Sequence, residues 1–244
     1  MSASPSKSHY TKGEVNRAGL LMLDLKERTE REGAVPVDLD YDRRLDEAWD
    51  ALAWWRRLHA RPLSTVAANL RYHVDKADGQ VDGRIDVTQR LKRIPTLIGK
   101  LGRERGSVTQ MHDIGGVRAV VPHRRHVYAV RRRLLKSWTI IRERDYIEQP
   151  KETGYRALHL IVKRKGYPIE VQLRTFAQDG WANVVEESGR EFDQDFKFGA
   201  GDRRALALFS AMAESIAGVE EGKLSNDNLL AALKHLPRLP ISST

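Results

Sequence analysis

The nine residues YPIEVQLRT at 167–175 constrain this chain more than any other stretch. Side chains along a strand point alternately to opposite faces. Ile169, Val171 and Leu173 therefore share one oily face, and Glu170, Gln172 and Arg174 share the other. The first face must lie on a core. The second shows an acid, an amide and a guanidinium in a row, although ordinary solvated faces of antiparallel sheets can read the same way. The preceding run ALHLIVKR joins this strand through Lys165-Gly166, a link compatible with a two-residue hairpin turn. That register pairs Arg164 with Tyr167, sets Ile161 opposite Glu170 and His159 opposite Gln172, and so stands His159 beside the polar row. A slip of one residue would move the whole set to the wrong face.

The rest of the chain alternates strands and helices around this hairpin. Apolar spacing predicts helices over 42–58, 63–77 (after a break at Pro62), 92–105, 123–136, 176–190 and 203–222, with a short one near 226–235. Strands are expected from Gly116 (GVRAVV), over 138–146, and in the two arms of the hairpin, 157–164 and 167–174. Residues 1–35 are polar with weak periodicity and read as a loose or partly helical arm. The stretch 76–86, rich in Gly and Asp, reads as a turn-rich connection. The expected class is α/β, a mixed sheet between helices with helical extensions at both ends.

Composition removes several kinds of chemistry. With no cysteine in 244 residues, disulfides, thiolate nucleophiles and Cys-based zinc sites are excluded. No window approaches the ~18 uninterrupted apolar residues of a membrane span. The first residues, MSASPSKSHYTKGE, hold no apolar run of the kind a secretory signal needs, so a cytoplasmic protein without a membrane partner is expected. The net charge of +9 suits polyanionic partners. It is uneven: eight Lys or Arg and no acid fall between Ile114 and Arg142.

Three further segments offer chemistry. HDIGGVRAVV places Asp113 before two glycines that open a strand, with Arg118 inside it. Two acids on different strands, Asp113 and Glu170, surrounded by cations, suit Mg²⁺, which keeps few carboxylates and completes its shell with substrate phosphates. PKETGYRALH is a loop that presents Tyr155 among cations, an arrangement that can stack a base while holding phosphates. RLKRIPTLIGK supplies Arg90, Lys92 and Lys100 at a basic helix start, placed to grip a polyphosphate. There is no GxxxxGK[ST] and no HExxH. The His112-Asp113 pair lacks a second histidine cluster, so metal-dependent hydrolysis is not expected.

Taken together and in order, RLKRIPTLIGK, HDIGGVRAVV, RDYIEQPKETGYRALHLIV and IEVQLRT followed by WANVVEE resemble the RelA/SpoT nucleotide pyrophosphokinase family over roughly residues 90–190. The resemblance implies a nucleotidyltransferase-like, mixed five-stranded sheet flanked by helices. It implies Mg²⁺ on Asp113 and Glu170, with Glu170 also taking the proton of the attacking hydroxyl. Arg90 and Arg118 would sandwich the ATP adenine, and Lys92 and Lys100 would hold its phosphates. Tyr155 would stack on the acceptor base, with Lys151, His159, Gln172 and Arg174 lining the acceptor and the moving diphosphate. The implied layout is an N-terminal arm with helices at 1–85, a synthetase domain at 86–200 and a C-terminal helical extension at 201–244.

Two departures bear on the acceptor. Many alarmone-making small synthetases have RxKSxxS where this chain has RLKRIPT, and WAxxEH where it has WANVVEE, with Glu186 displaced by one place. The second pattern is similar to the toxic small synthetases of toxin–antitoxin and phage-defence systems, several of which modify the 3′-CCA adenosine of tRNA. That resemblance implies tRNA as acceptor and an antitoxin protein as partner, with GDP or GTP as the alternative acceptor; a non-catalytic nucleotide- or RNA-binding module is disfavoured because both acids are present. On helix 123–136, Arg125, Arg132 and Lys136 turn away from the apolar stripe and form the expected RNA contact. Trp54 points away from the Leu45–Leu52–Trp55 stripe of helix 42–58, and needs another element or a partner to cover it.

Overall fold

A computed structural model describes residues 9–33, 39–77 and 85–223. In chain order it has α1 (Lys12–Glu32), α2 (Leu39–Leu58), α3 (Ala60–Asp75), β1 (Asp86–Leu91), α4 (Ile94–Glu104), β2 (Gly115–Val121), α5 (Arg124–Ser137), β3 (Ile140–Asp145), β4 (Leu158–Arg164), β5 (Tyr167–Thr175), α6 (Phe176–Glu191) and α7 (Arg203–Glu220). The five strands form one sheet in the order β1-β2-β5-β4-β3. This is the expected mixed sheet flanked by helices. The chain divides into two compact units that alternate along the sequence: residues 1–69, 89–117 and 161–170, and residues 70–88, 118–160 and 171–244.

The hairpin forms as its alternation requires. Lys165 (φ 49°) and Gly166 (φ 86°) both take positive φ, the pattern of a type I′ turn whose twist matches its strands. Ile169, Val171 and Leu173 are buried, and Glu170 and Gln172 are only partly so. Arg174 departs from the alternation, because it lies on the polar side and is still only 7% exposed.

The first unit gathers α1, α2 and α4 around Val15, Leu52, Trp55, Leu97, Leu101 and Ile114. Within the N-terminal arm, Lys12–Glu32 form a long helix, the partly helical form that was expected. It starts at a reciprocal capping box in which Thr11 Oγ1 accepts from the Glu14 N–H at 3.2 Å and the Glu14 carboxylate accepts from the Thr11 N–H at 2.7 Å. Asn16 on this helix accepts the backbone N–H of Thr109 at 3.0 Å. Trp54 is covered by the chain itself, with the His9 and Tyr10 rings 6.0 and 5.7 Å away, whereas Trp49 stays 45% exposed. Pro62 does not break the chain. It sits in the first turn of α3, where its missing N–H costs no bond, and the actual break is at His59. Arg90 and Lys92 were expected at a helix start. Arg90 instead lies exposed on β1, and Lys92 lies between β1 and α4, whose first turn contains Pro95.

In the second unit, α5 buries Val127, Val130 and Leu134 as its spacing predicts. Helices α6 and α7 enclose Trp181, Val185, Phe196, Phe209 and Ala213, with Met212 and Ile216 packed alongside. The loop before β4 rests on α7 at Gly154, which has φ +86°. A Cβ there would lie 2.7 Å from the Ala213 Cβ, so only glycine fits both the dihedral and the space. The helix expected near 226–235 falls outside the described residues, as does most of the connection at 76–86. No helix among the described residues is long and apolar enough to cross a membrane.

Gly154→Ala combines positive-φ strain with a contact too short to relax. It is expected to cost about 2–4 kcal/mol, read as a lower urea midpoint with an unchanged m-value.

Candidate active site

Two polar clusters form, one in each unit. In the first, the Asp113 carboxylate is nearly enclosed and meets two ammonium groups. Its Oδ2 lies 2.9 Å from Lys92 Nζ and 2.9 Å from Lys100 Nζ. The elements that bring them together are specified locally. The Lys92 N–H donates to the Ile114 carbonyl at 2.8 Å, and its carbonyl accepts from Arg56 Nε on α2 at 2.9 Å. Lys100 lies on α4 beside the buried Leu97, Ile98 and Leu101. Gly115, just after Asp113 and Ile114, is required for packing, since a Cβ would sit 2.8 Å from Ile169 Cδ1; Gly116 faces open space.

The electrostatics follow from this enclosure. Burial works to raise the Asp113 carboxyl, but the charges and hydrogen bonds of Lys92 and Lys100 outweigh it and hold the group below its usual value. Burial likewise opposes charge on Lys100, yet Asp113, with Glu104 and Glu170 adding to the field, holds its ammonium above the ordinary lysine value. Both groups are thus charged at neutral pH. Asp113 Oδ1 is buried and has no hydrogen-bond partner among the described residues. A buried acceptor left over beside two cations is an uncommon arrangement that calls for a ligand.

The second cluster centres on Arg174. Its Nη2 donates to the Tyr155 hydroxyl at 2.8 Å and to Gln172 Oε1 at 2.9 Å, and its Nη1 donates to Asp179 Oδ1 at 3.1 Å. The Tyr155 hydroxyl also meets His159 Nε2 at 2.6 Å. Lys151 Nζ lies 5.2 Å over the Tyr155 ring and 5.0 Å over that of Tyr146. The side chains expected around an acceptor (Lys151, Tyr155, His159, Gln172 and Arg174) are therefore one connected network. Arg174 Nε is buried and has no hydrogen-bond partner among the described residues.

Three residues here escaped sequence reasoning. Asp179 bridges Arg174 and Arg118, whose Nη1 is 2.9 Å from the same Oδ1. Arg118 thus has a carboxylate partner and remains 34% exposed. Tyr146 packs edge-on against His159 with ring centroids 5.2 Å apart. Glu220, on α7, accepts from the Thr175 hydroxyl and from Gln178 Nε2 at 2.8 Å. Thr175 and Gln178 form the capping box of α6, so Glu220 fixes the helix start that carries Asp179. The readable signals were the TxxQ cap and an acid in the first turn of α6. The expected RNA contacts Arg125, Arg132 and Lys136 are all exposed on α5.

This fold is shared with known proteins. Residues 89–192 match the family model described as a region found in RelA/SpoT proteins. The GTP pyrophosphokinase YwaC of Bacillus subtilis is 34% identical over 150 residues, which is 54% of this chain and 71% of that protein. The GTP pyrophosphokinase YjbM of the same organism is 32% identical over 111 residues, 40% of this chain and 53% of that protein. Among solved structures, small alarmone synthetase 1 from Bacillus subtilis bound to its product pppGpp superposes with a TM-score of 0.58 at 21% identity, over 69% of this chain and 93% of that one. Small alarmone synthetase 2 from Bacillus subtilis gives 0.56 at 25% identity, over 69% and 95%. The chain belongs to the RelA/SpoT family.

Two outcomes follow. The folded-state pKa of Asp113 is depressed, so its contribution to stability is complete above the unfolded value of about 4 and lost as pH falls through the folded one. Urea midpoints measured from pH 6 down to pH 2 are expected to show an acid limb that Asp113→Asn flattens. Asp179→Asn removes the shared counter-charge of Arg118 and Arg174 and is expected to cost about 1–3 kcal/mol in the same measurement.

Proposed function

We propose that the protein moves the β,γ-diphosphate of ATP onto the 3′-hydroxyl of a guanosine nucleotide, GDP or GTP, with AMP leaving. The pyrophosphokinase class rests on family membership. The guanosine acceptor is supported by the names of the two Bacillus subtilis relatives, both GTP pyrophosphokinases, and by the product pppGpp in a solved relative. The observation that carries the chemistry is the buried Asp113 Oδ1, which has no hydrogen-bond partner among the described residues although its neighbouring Oδ2 meets two ammonium groups.

Diphosphate transfer gives a protein little covalent work, and its task is to position the reactants and neutralise charge. Lys100, held charged by Asp113, and Lys92, paired with the same carboxylate, are suited to the ATP phosphates. Mg²⁺ fits Asp113 and Glu170: one presents a buried free oxygen, the other lies in the field of Lys100, and Mg²⁺ favours few carboxylates with phosphate oxygens. When bound, it would draw negative charge from the β- and γ-phosphate oxygens. Glu170 would accept the proton of the attacking 3′-hydroxyl. Arg174 would direct its Nε at the moving diphosphate, with Gln172 and His159 fixing its orientation. A base stacking on Tyr155 would take the place that the Lys151 ammonium occupies over the ring.

A second reading, in which the acceptor is the 3′-terminal adenosine of tRNA and the protein stops translation, is favoured by WANVVEE and by the exposed Arg125, Arg132 and Lys136 of α5.

Incubation with γ-³²P-ATP and Mg²⁺, offering GDP plus GTP or bulk tRNA, separates the readings. Label is expected on the guanine nucleotide, reduced by roughly 10²–10⁴-fold in Glu170→Gln. Label on tRNA alone would establish the second reading, and label on neither acceptor would sink both.

A further inference from the structure

The end of α3 and one face of α5 border a pocket of ≈ 350 Å³ that shares no residue with either cluster above. Its walls carry Lys76, Arg132, Arg133 and Lys136, with Ser137 at the rim. Arg132, Arg133 and Lys136 recur at three- and four-residue steps, so they stack on one side of the helix. Among the described residues, no carboxylate lines the pocket and none of the four cations has an ion pair. Neighbouring arginines of the same helix are neutralised: Arg124 by Glu148 at 2.8 Å and Glu221 at 3.0 Å, and Arg131 by Glu143 at 2.7 Å.

The ends of α3 and α5 favour positive charge, which accounts for Lys76 and Lys136. It does not account for Arg132 and Arg133, which precede the last turn of α5. Arg133 Nε is moreover buried with no hydrogen-bond partner among the described residues. Like charges on one concave wall repel, and a buried donor without an acceptor costs stability; both costs vanish when an oxyanion enters. Next to the pocket, His73 packs edge-on against Trp138 with ring centroids 5.7 Å apart, and burial together with the Arg133 charge holds it neutral at pH 7.

We propose that this pocket binds phosphate groups, supplied either by a free polyphosphate or by the backbone of an RNA. Which acceptor the enzyme uses does not enter this inference. The shared chemistry is a multiply charged oxyanion facing a fan of guanidinium and ammonium donors, and the open mouth admits both sources.

The test uses the full chain and two probes, inorganic tripolyphosphate by calorimetry and a short fluorescent oligouridylate by anisotropy. The main variant is Arg132→Ala/Lys136→Ala, both exposed positions, with its fold checked by circular dichroism and urea denaturation. Arg142→Ala, exposed on β3 and outside the pocket, controls for loss of surface charge. Lys92→Ala separates tripolyphosphate held by the Asp113 cluster. The double variant is expected to bind at least one probe ten-fold or more weakly, with Lys92→Ala retaining the pocket's share. Loss for the oligonucleotide, with a salt dependence shallower by roughly 0.7 in log–log slope per lost contact, identifies a backbone. Loss for tripolyphosphate alone identifies a small polyphosphate. If the double variant binds both probes as the wild type does, or loses no more than Arg142→Ala, the proposal is overturned.

Discussion

One carboxylate between two ammonium groups organises the first unit. Asp113 would be costly to bury alone, and Lys92 and Lys100 would repel each other at this separation without it. Each therefore requires the others, and the backbone around them serves that requirement. Arg56 and Ile114 hold the Lys92 main chain, α4 presents Lys100 above an apolar face, and Gly115 lets β2 close on Ile169. Charge that is enclosed and paired in this way is weakly screened by salt. Phosphates arriving there would meet cations already in position.

The second unit solves a related problem with a different residue. Arg174 spreads its donors over Tyr155, Gln172 and Asp179, and the planar guanidinium permits this where an ammonium would not. The burial that defeats simple alternation at Arg174 is explained by that satisfaction. Asp179 is set by the start of α6, and that start is tied to Glu220 of α7. Helix α7 thereby gains a reason to exist beyond packing: it holds the cap of the helix that balances the charge on Arg174 and Arg118.

The elements that could be read in advance were those with strong periodicity. The hairpin was legible because its apolar alternation and two-residue turn agree, and α5 because Val127, Val130 and Leu134 recur at helical spacing. Strand β1 was missed because DVTQRL has no oily face to announce it. Helix α1 was underrated because its periodicity is weak, although the TxxE of Thr11 and Glu14 marks its start. Pro62 was read as a breaker because proline tolerates a first helical turn and ends an interior one, and sequence alone does not say which applies. Trp54 called for a cover, and the residues just before α1 supply it.

By itself the sequence determined which chemistry was available. The order of RLKRIPTLIGK, HDIGGVRAVV, PKETGYRALH and IEVQLRT named the family, and the absence of cysteine excluded thiolate and Cys-zinc chemistry. Tertiary structure alone decided which charges are paired. Arg118 and Arg174 share Asp179, Lys92 and Lys100 share Asp113, and Lys76, Arg132, Arg133 and Lys136 have no carboxylate among the described residues. A charged side chain has the same letter in each case. Its partner is set by folding, because Coulomb attraction depends on distance and local dielectric, and neither is written in the order of residues along a chain.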